Sequence, residues 1–366
     1  MTRLRRLLLI ALPAVLVLLA SAVAGIGWYF SGAATEVEHG RAFRFRIVDA
    51  RDGTVTLPRD HTTDRPGTWG LVWQGGRGVL GEITAGTRGT VTRRVVAGAP
   101  VKGARAVIDH WVWAGDPRSA LGLEYRDVRY PSRLGPMPAW FLPAPGRTWV
   151  IAVHGRNADR AETFRGMRAV HAAGLPMLSI AYRNDEGAPP SPDRRNHLGD
   201  TERQDLASAI GYARAQGAEG VVLYGWSMGG AMAMRTLRDD RSFVRGVVLD
   251  SPVMDWTATL DKQGAQRNLP QPVTSVAERI LQWRIGIDLA DYDQRRYAAG
   301  LKVPVLLFTA DEDWTVANGP ALQYARRAPA GLVTHVSAPE AGHTDAWNVA
   351  PAAYERTVTT FLRGLR

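Results

Sequence analysis

The stretch from Val221 to Met234, VVLYGWSMGGAMAM, restricts what this chain can fold into more than any other. Val221, Val222, Leu223 and Tyr224 form an apolar run suited to a strand covered on both faces. Gly225, Ser227 and Gly229 then space a GxSxG turn, followed by Gly230 and the helix formers Ala231 to Met234. A serine at the apex of a strand-to-helix turn takes a strained backbone conformation, and neighbours without Cβ atoms let the chain close around it. The helix that starts there points free N–H groups and its positive end at any negative charge developing beside the serine. In a chain with 38 glycines the spacing alone is weak. It gains meaning from the strand before it and the helix after it, and the rest of the chain must supply a base, an acid and oxyanion donors.

The flanking sequence has a strand and helix rhythm. Thr148–Val153, Pro176–Tyr182, Val244–Leu249, Val303–Thr309 and Val333–Val336 read as strands, and residues 161–173 and 201–216 as helices. Such alternation calls for a parallel sheet with right-handed crossovers. Leu123–Tyr130 and Met137–Leu142 read as an antiparallel pair, and the strand ending at Val153 runs into His154-Gly155-Arg156-Asn157. With this turn and the GxSxG elbow, residues 119–366 resemble the α/β-hydrolase superfamily. The resemblance implies an α/β fold with a mostly parallel eight-stranded sheet flanked by helices. It also implies an oxyanion hole made by the backbone N–H groups of Arg156 and Met228, supported by His154, Gly155, Gly225 and Gly229. Asp313, after the seventh strand, matches the family's acid, and His343, preceded by Gly342, its base. The order Ser227, Asp313, His343 is that of this fold. Asp250, ending the sixth strand, is a second candidate for the acid. The surroundings of Ser227 look most similar to the serine aminopeptidase and acyl-peptidase-like branch, although esterases share each of these residues.

The chemistry requires the whole set. A serine hydroxyl is a poor nucleophile until a neutral histidine takes its proton, and a carboxylate fixes the imidazole tautomer and stabilises the imidazolium. The expected reaction is hydrolysis of a small acyl ester or peptide through an acyl-enzyme. Tyr182, Arg183 and Trp226 are candidates for the substrate pocket, and residues 255–299 for a short, irregular cap carrying Trp256, Trp283 and Tyr292. An acyltransferase using the same triad, or a noncatalytic membrane-tethered binding protein on the same fold, are the alternatives. No metal or organic cofactor is expected, because the triad generates its own nucleophile. His39, His61 and His110 lack ligand spacing, and the chain has no cysteine for thiolate sites or disulfides.

Residues 1–30 read as a transmembrane signal anchor. Arg3, Arg5 and Arg6 precede an uncharged run from Leu7 to Phe30, on the order of 36 Å long as a helix. Ala20-Ser21-Ala22 and Ala22-Val23-Ala24 resemble cleavage sites, so secretion after cleavage is the alternative. Against cleavage, the run continues to Trp28, Tyr29 and Phe30, an interfacial set, and the arginines predict an exported catalytic domain. Residues 31–118 show short alternating runs with turn signals and read as a β-rich module. The net charge of +10 comes from arginines scattered singly, which argues against nucleic acid and leaves membrane contact as the partner reading. No pattern in the chain fixes its oligomeric state.

Overall fold

The computed structural model describes residues 3–38, 40 and 42–365, with side chains from Leu12 onward. His39 lies outside the described residues, as do the side chains of Arg3, Arg5 and Arg6. The chain opens with a single long helix, α1 (Arg3–Thr35). Its window from Leu12 is apolar enough to cross a membrane and almost entirely unburied. The helix runs past residue 30. Ser31 and Thr35 return their hydroxyls to the carbonyls of Trp28 and Ser31, so these polar residues continue the helix without unsatisfied groups.

The next segment forms a seven-stranded antiparallel sheet: β1 (Phe45–Arg46), β2 (Asp49–Arg51), β3 (Thr54–Pro58), β4 (Trp69–Trp73), β5 (Gly76–Gly86), β6 (Thr90–Ala97) and β7 (Arg105–Asp109), in the order β1-β7-β4-β5-β6-β3-β2. Alternate residues such as Val55, Leu57, Trp69, Leu71 and Val91 fill its own apolar core. One charged side chain lies among them. Arg93 is fully buried and spends its guanidinium on the carbonyls of Thr63, Arg65, Gly67 and Gly81, which fastens the 63–67 loop to the sheet.

After the short α2 (Pro117–Leu121) come β8 (Arg126–Ser132), β9 (Gly135–Leu142), β10 (Thr148–Val153), α3 (Phe164–Ala173), β11 (Met177–Ile180), α4 (Arg203–Ala215), β12 (Gly220–Trp226), α5 (Met228–Asp239) and β13 (Val244–Asp250). The chain continues through α6 (Trp256–Gln266), α7 (Gln271–Ile285), β14 (Val305–Ala310), α8 (Asn318–Arg327), β15 (Val333–Ala338), α9 (Ala346–Val349) and α10 (Pro351–Arg363). The eight-stranded sheet has the order β15-β14-β13-β12-β10-β11-β9-β8. It is mixed. The six strands β10 to β15 run parallel, while β9 lies antiparallel to both β11 and β8. β12 is buried along its whole length, with apolar clusters on both faces, as its unbroken apolar run requires.

The expectation of an irregular segment at 255–299 is corrected. It holds two helices, α6 and α7, followed by three short 3-10 turns. α6 is capped by Asp255, and Pro272 sits in the first turn of α7, where its missing N–H has no helical partner to lose.

Candidate active site

β12 delivers Ser227 to the carboxyl edge of the sheet, between the strand and α5. Its backbone has φ 50° and ψ −115°, an unfavourable conformation for a residue with a Cβ. It persists because Ser227 N–H donates to Asp250 O at 3.0 Å and Ser227 O accepts from Val253 N–H at 3.1 Å. The turn closes only with glycine beside it: a Cβ at Gly229 would lie 2.1 Å from Val153 O, and one at Gly225 2.5 Å from the Gly229 carbonyl carbon.

The loops after β14 and β15 bring in the other two side chains. Ser227 Oγ lies 2.8 Å from His343 Nε2, and His343 Nδ1 lies 2.8 Å from Asp313 Oδ2. A carboxylate only accepts, so Nδ1 carries the proton towards Asp313 and Nε2 faces the serine hydroxyl as an acceptor. Asp313 is held at its other oxygen by the N–H groups of Thr315 and Val316, both at 2.7 Å. Burial works to raise its pKa, but His343 and these N–H groups outweigh it and keep the carboxyl below its ordinary value. For His343, burial pulls the pKa down and Asp313 pushes it further up, leaving it above the usual imidazole value. Lys262 of α6 donates to the Asp313 and Val316 carbonyls, which ties α6 to the loop that carries Asp313.

Asp250 faces elsewhere. Its carboxylate accepts from Tyr354 Oη at 2.9 Å, beneath the sheet edge, and burial raises its pKa to about 6.

On the other side of Ser227 lies the turn after β10. Gly155 N–H is taken by Glu162 Oε2 at 2.6 Å, and neither Arg156 N–H nor Met228 N–H has a backbone partner among the described residues. His154 supports this turn from below: its ring contacts Asp185 at 2.8 Å and stacks on Tyr182.

The three candidate pocket residues are corrected. Tyr182 is buried and donates its hydroxyl to Gly155 O at 2.7 Å, bracing the turn. Arg183 is buried in an ion pair with Asp205 at 2.7 Å, away from the cleft. Trp226 is fully buried and stacked on Tyr224, because successive side chains of β12 alternate faces. The cleft over Ser227, about 540 Å3, is walled instead by Arg156, Asn157 and Thr315 on one side and by Arg44, His110 and Trp111 from the β-rich segment on the other.

Spacing did not point to His110, Arg65 or Asp345. Asp345, two residues after His343, accepts from Arg65 Nη1 at 2.7 Å and contacts His110 Nδ1 at 2.6 Å. The one available signal was an aspartate two residues after His343 in His343-Thr344-Asp345.

Among the described residues no group of His, Asp or Glu is arranged to hold a metal ion. Residues 46–109 match the model of a domain of unknown function, DUF8805. No curated protein matches the chain. Among solved structures, an esterase of Pyrococcus furiosus is 20% identical with a TM-score of 0.55, covering 69% of this chain and 97% of that one. The thermostable carboxylesterase EstE1, cloned from a metagenomic library, is 20% identical with a TM-score of 0.51, over 66% of this chain and 90% of that one. DcsB, solved with a substrate analogue, is 14% identical with a TM-score of 0.52, over 66% of this chain and 99% of that one. At such identities these structures share the fold. The alpha/beta hydrolase family model matches residues 150–361, more than half of the chain, and the protein belongs to that family.

Proposed function

We propose that the protein is a serine hydrolase that cleaves a carboxylic ester through an acyl-enzyme, with Ser227 as nucleophile, His343 as base and Asp313 as acid. The observation that carries this reading is the continuous hydrogen-bonded line from Ser227 Oγ through both nitrogens of His343 to Asp313. Ser227 Oγ attacks the acyl carbon while its proton passes to His343 Nε2. The negative carbonyl oxygen is received by the N–H groups of Arg156 and Met228, each contributing on the order of 3 kcal/mol. The imidazolium returns the proton to the departing alkoxide, and a water molecule, deprotonated by the same nitrogen, then releases the acid and frees the serine. Amide cleavage, the peptidase-like branch of the family, uses the same steps with an amine leaving group.

We read α1 as an uncleaved anchor with the hydrolase exported, supported by its unburied apolar surface and by the arginines ahead of it. Labelling of the full chain with a fluorophosphonate tests the chemistry: wild type should label, and Ser227→Ala and His343→Ala should not. A panel of acyl esters and aminoacyl amides should show turnover of the esters. Equal labelling of Ser227→Ala would remove the nucleophile from this account.

A further inference from the structure

Among the described side chains of α1, those that pack on the body of the protein lie in its C-terminal part. There the contact with α7 is close: a Cβ at Gly27 would lie 2.9 Å from Ile280 Cδ1 and 3.2 Å from Ala277 Cα. Arg284 Nη1 donates to Trp28 O at 2.9 Å and Ser31 Oγ at 2.7 Å, and its guanidinium covers the Trp28 ring at 4.1 Å. Further up, Thr35 O accepts from Asn196 N–H at 2.9 Å. From Leu12 to Ala22 the side chains stand exposed, Leu16 at 57%, Leu18 at 69% and Leu19 at 58%. The uncharged run behind the arginines, counted from Leu7 to Ile26, is on the order of 30 Å long at 1.5 Å per residue, the thickness of a bilayer's hydrocarbon core.

That length puts the hydrocarbon boundary close to Ile26. The next turns carry Trp28 and Tyr29, 52% and 69% exposed, where amphipathic rings sit at the headgroup level. At the same level α7 contributes Trp283, its ring centroid 6.3 Å from that of Trp28. Trp283 is 75% exposed, and among the described residues no large apolar side chain is more so. One turn before it, Arg279 is exposed as well. A soluble domain gains nothing by leaving an indole so open, whereas a headgroup layer accepts the ring and offers phosphates to arginine.

We propose that the C-terminal half of α7, around Trp283 and Arg279, is a second membrane contact that rests in the headgroup layer of the bilayer crossed by α1. The partner is the lipid surface itself. This rests on the reading of α1 as a membrane span. A lone helix tether leaves a domain free to swing, while two contacts side by side fix its orientation. Asn157 Nδ2, next to the oxyanion donor Arg156, reaches Glu36 O at 3.2 Å just beyond the end of α1. From Ile26 to Thr35 the helix rises about 14 Å, so the cleft is held at a set height above the leaflet, just outside a headgroup layer about 5–8 Å deep.

The absence of cysteine makes single-site labelling direct. The full chain carrying Trp283→Cys, or Arg279→Cys as a second reporter, is labelled with an environment-sensitive fluorophore and reconstituted in phosphatidylcholine–phosphatidylglycerol vesicles. Nitroxide lipids are added with the spin label either near the headgroup or deep in the acyl chain. Leu16→Cys reports the span, and Glu219→Cys, exposed before β12 at the sheet edge opposite the cap, reports the distant side. The expected result is quenching at 283 and 279 by headgroup-proximal nitroxide about twofold or more above that at 219, with deep quenching at 16. Deep quenching at 16 with 283 and 279 no different from 219 overturns the second contact and leaves the anchor intact. No quenching at 16 removes the anchor reading and this proposal with it.

Discussion

The proton path at Ser227 depends on which carboxylate faces His343, and two aspartates at neighbouring strand ends compete for that role in the sequence. Asp313 lies 2.8 Å from Nδ1, whereas Asp250 is spent on Tyr354. Asp313→Asn should therefore lower kcat on the order of 10³-fold or more, because the amide favours the wrong imidazole tautomer. Asp250→Asn should keep roughly a tenth or more of the activity, and the reverse ranking in steady-state assays would reassign the acid. The pH profile carries the same assignment. His343 acts as a base only when neutral, and its pKa is raised above 6.5, so kcat/KM should climb with pH through an apparent pKa on the alkaline side of 6.5. Removing the Asp313 charge should move that limb to lower pH while reducing the plateau. Asp250 has the opposite linkage to an ion-paired acid: its folded pKa of about 6 exceeds the reference 3.8, so its ionisation costs stability as pH rises through that window. The thermal midpoint of wild type should fall relative to that of Asp250→Asn between pH 4 and 7.

Among the elements, the strands, the turn after β12 and the β-rich segment were legible, and the helices of residues 255–299 were not. The elbow was readable because β12 is a short uninterrupted apolar run and the turn that follows tolerates no Cβ at Gly225 or Gly229. Asp313 and His343 were reached through the family resemblance, each in a loop after a strand, and their hydrogen-bonded line to Ser227 supports the proposal. α6 and α7 were hidden by Asp261, Lys262, Gln263, Gly264 and the Pro270-Gln271-Pro272 run, whose composition is that of a loop. Their helical order comes from packing on α1 and on the acid loop, which a local window does not contain. Tyr182, Arg183 and Trp226 were misplaced for a related reason: a strand end gives a residue's height in the sheet, while the face it takes depends on register. α1 combines both cases, an apolar segment evident in the sequence and a packed end that was not. A chain shortened to begin at Val23 should retain the thermal midpoint of the full hydrolase. One shortened to begin at Glu36 uncovers Ala277 and Ile280 and should lose on the order of 2 kcal/mol, read by thermal or denaturant unfolding.

At the scale of the whole molecule, the two sheets meet at the loop that carries His343. Thr68 N–H donates to Asn348 O at 2.8 Å, and Asn348 Nδ2 donates to the carbonyls of Thr68 and His110 at 3.0 and 2.9 Å. The approach is so close that a Cβ at Gly67, φ +93°, would lie 2.0 Å from Asn348 O. Asp345 is completely buried at this junction. Burial works to raise its pKa, but His110, Arg165 and Arg65 prevail and hold the carboxyl below its ordinary value, so it stays charged. Arg65 reaches it from the loop that Arg93 fastens to the seven-stranded sheet, and Arg165 of α3 donates to Thr344 O from below. His343 therefore sits on a turn clamped from both sides, and the β-rich segment is at once a wall of the cleft and a brace for the His343 turn. Arg65→Ala leaves the Asp345 charge without one of its partners, a loss of about 3–5 kcal/mol for a buried pair. Its thermal midpoint should drop, and at a temperature where circular dichroism still reports a folded chain, fluorophosphonate should label Ser227 roughly tenfold more slowly. Arg65→Lys should recover part of the labelling rate, because an ammonium restores the charge without the fork of the guanidinium. A brace with no influence on the base would instead give a lower midpoint with an unchanged labelling rate, and would leave the β-rich segment as a wall alone.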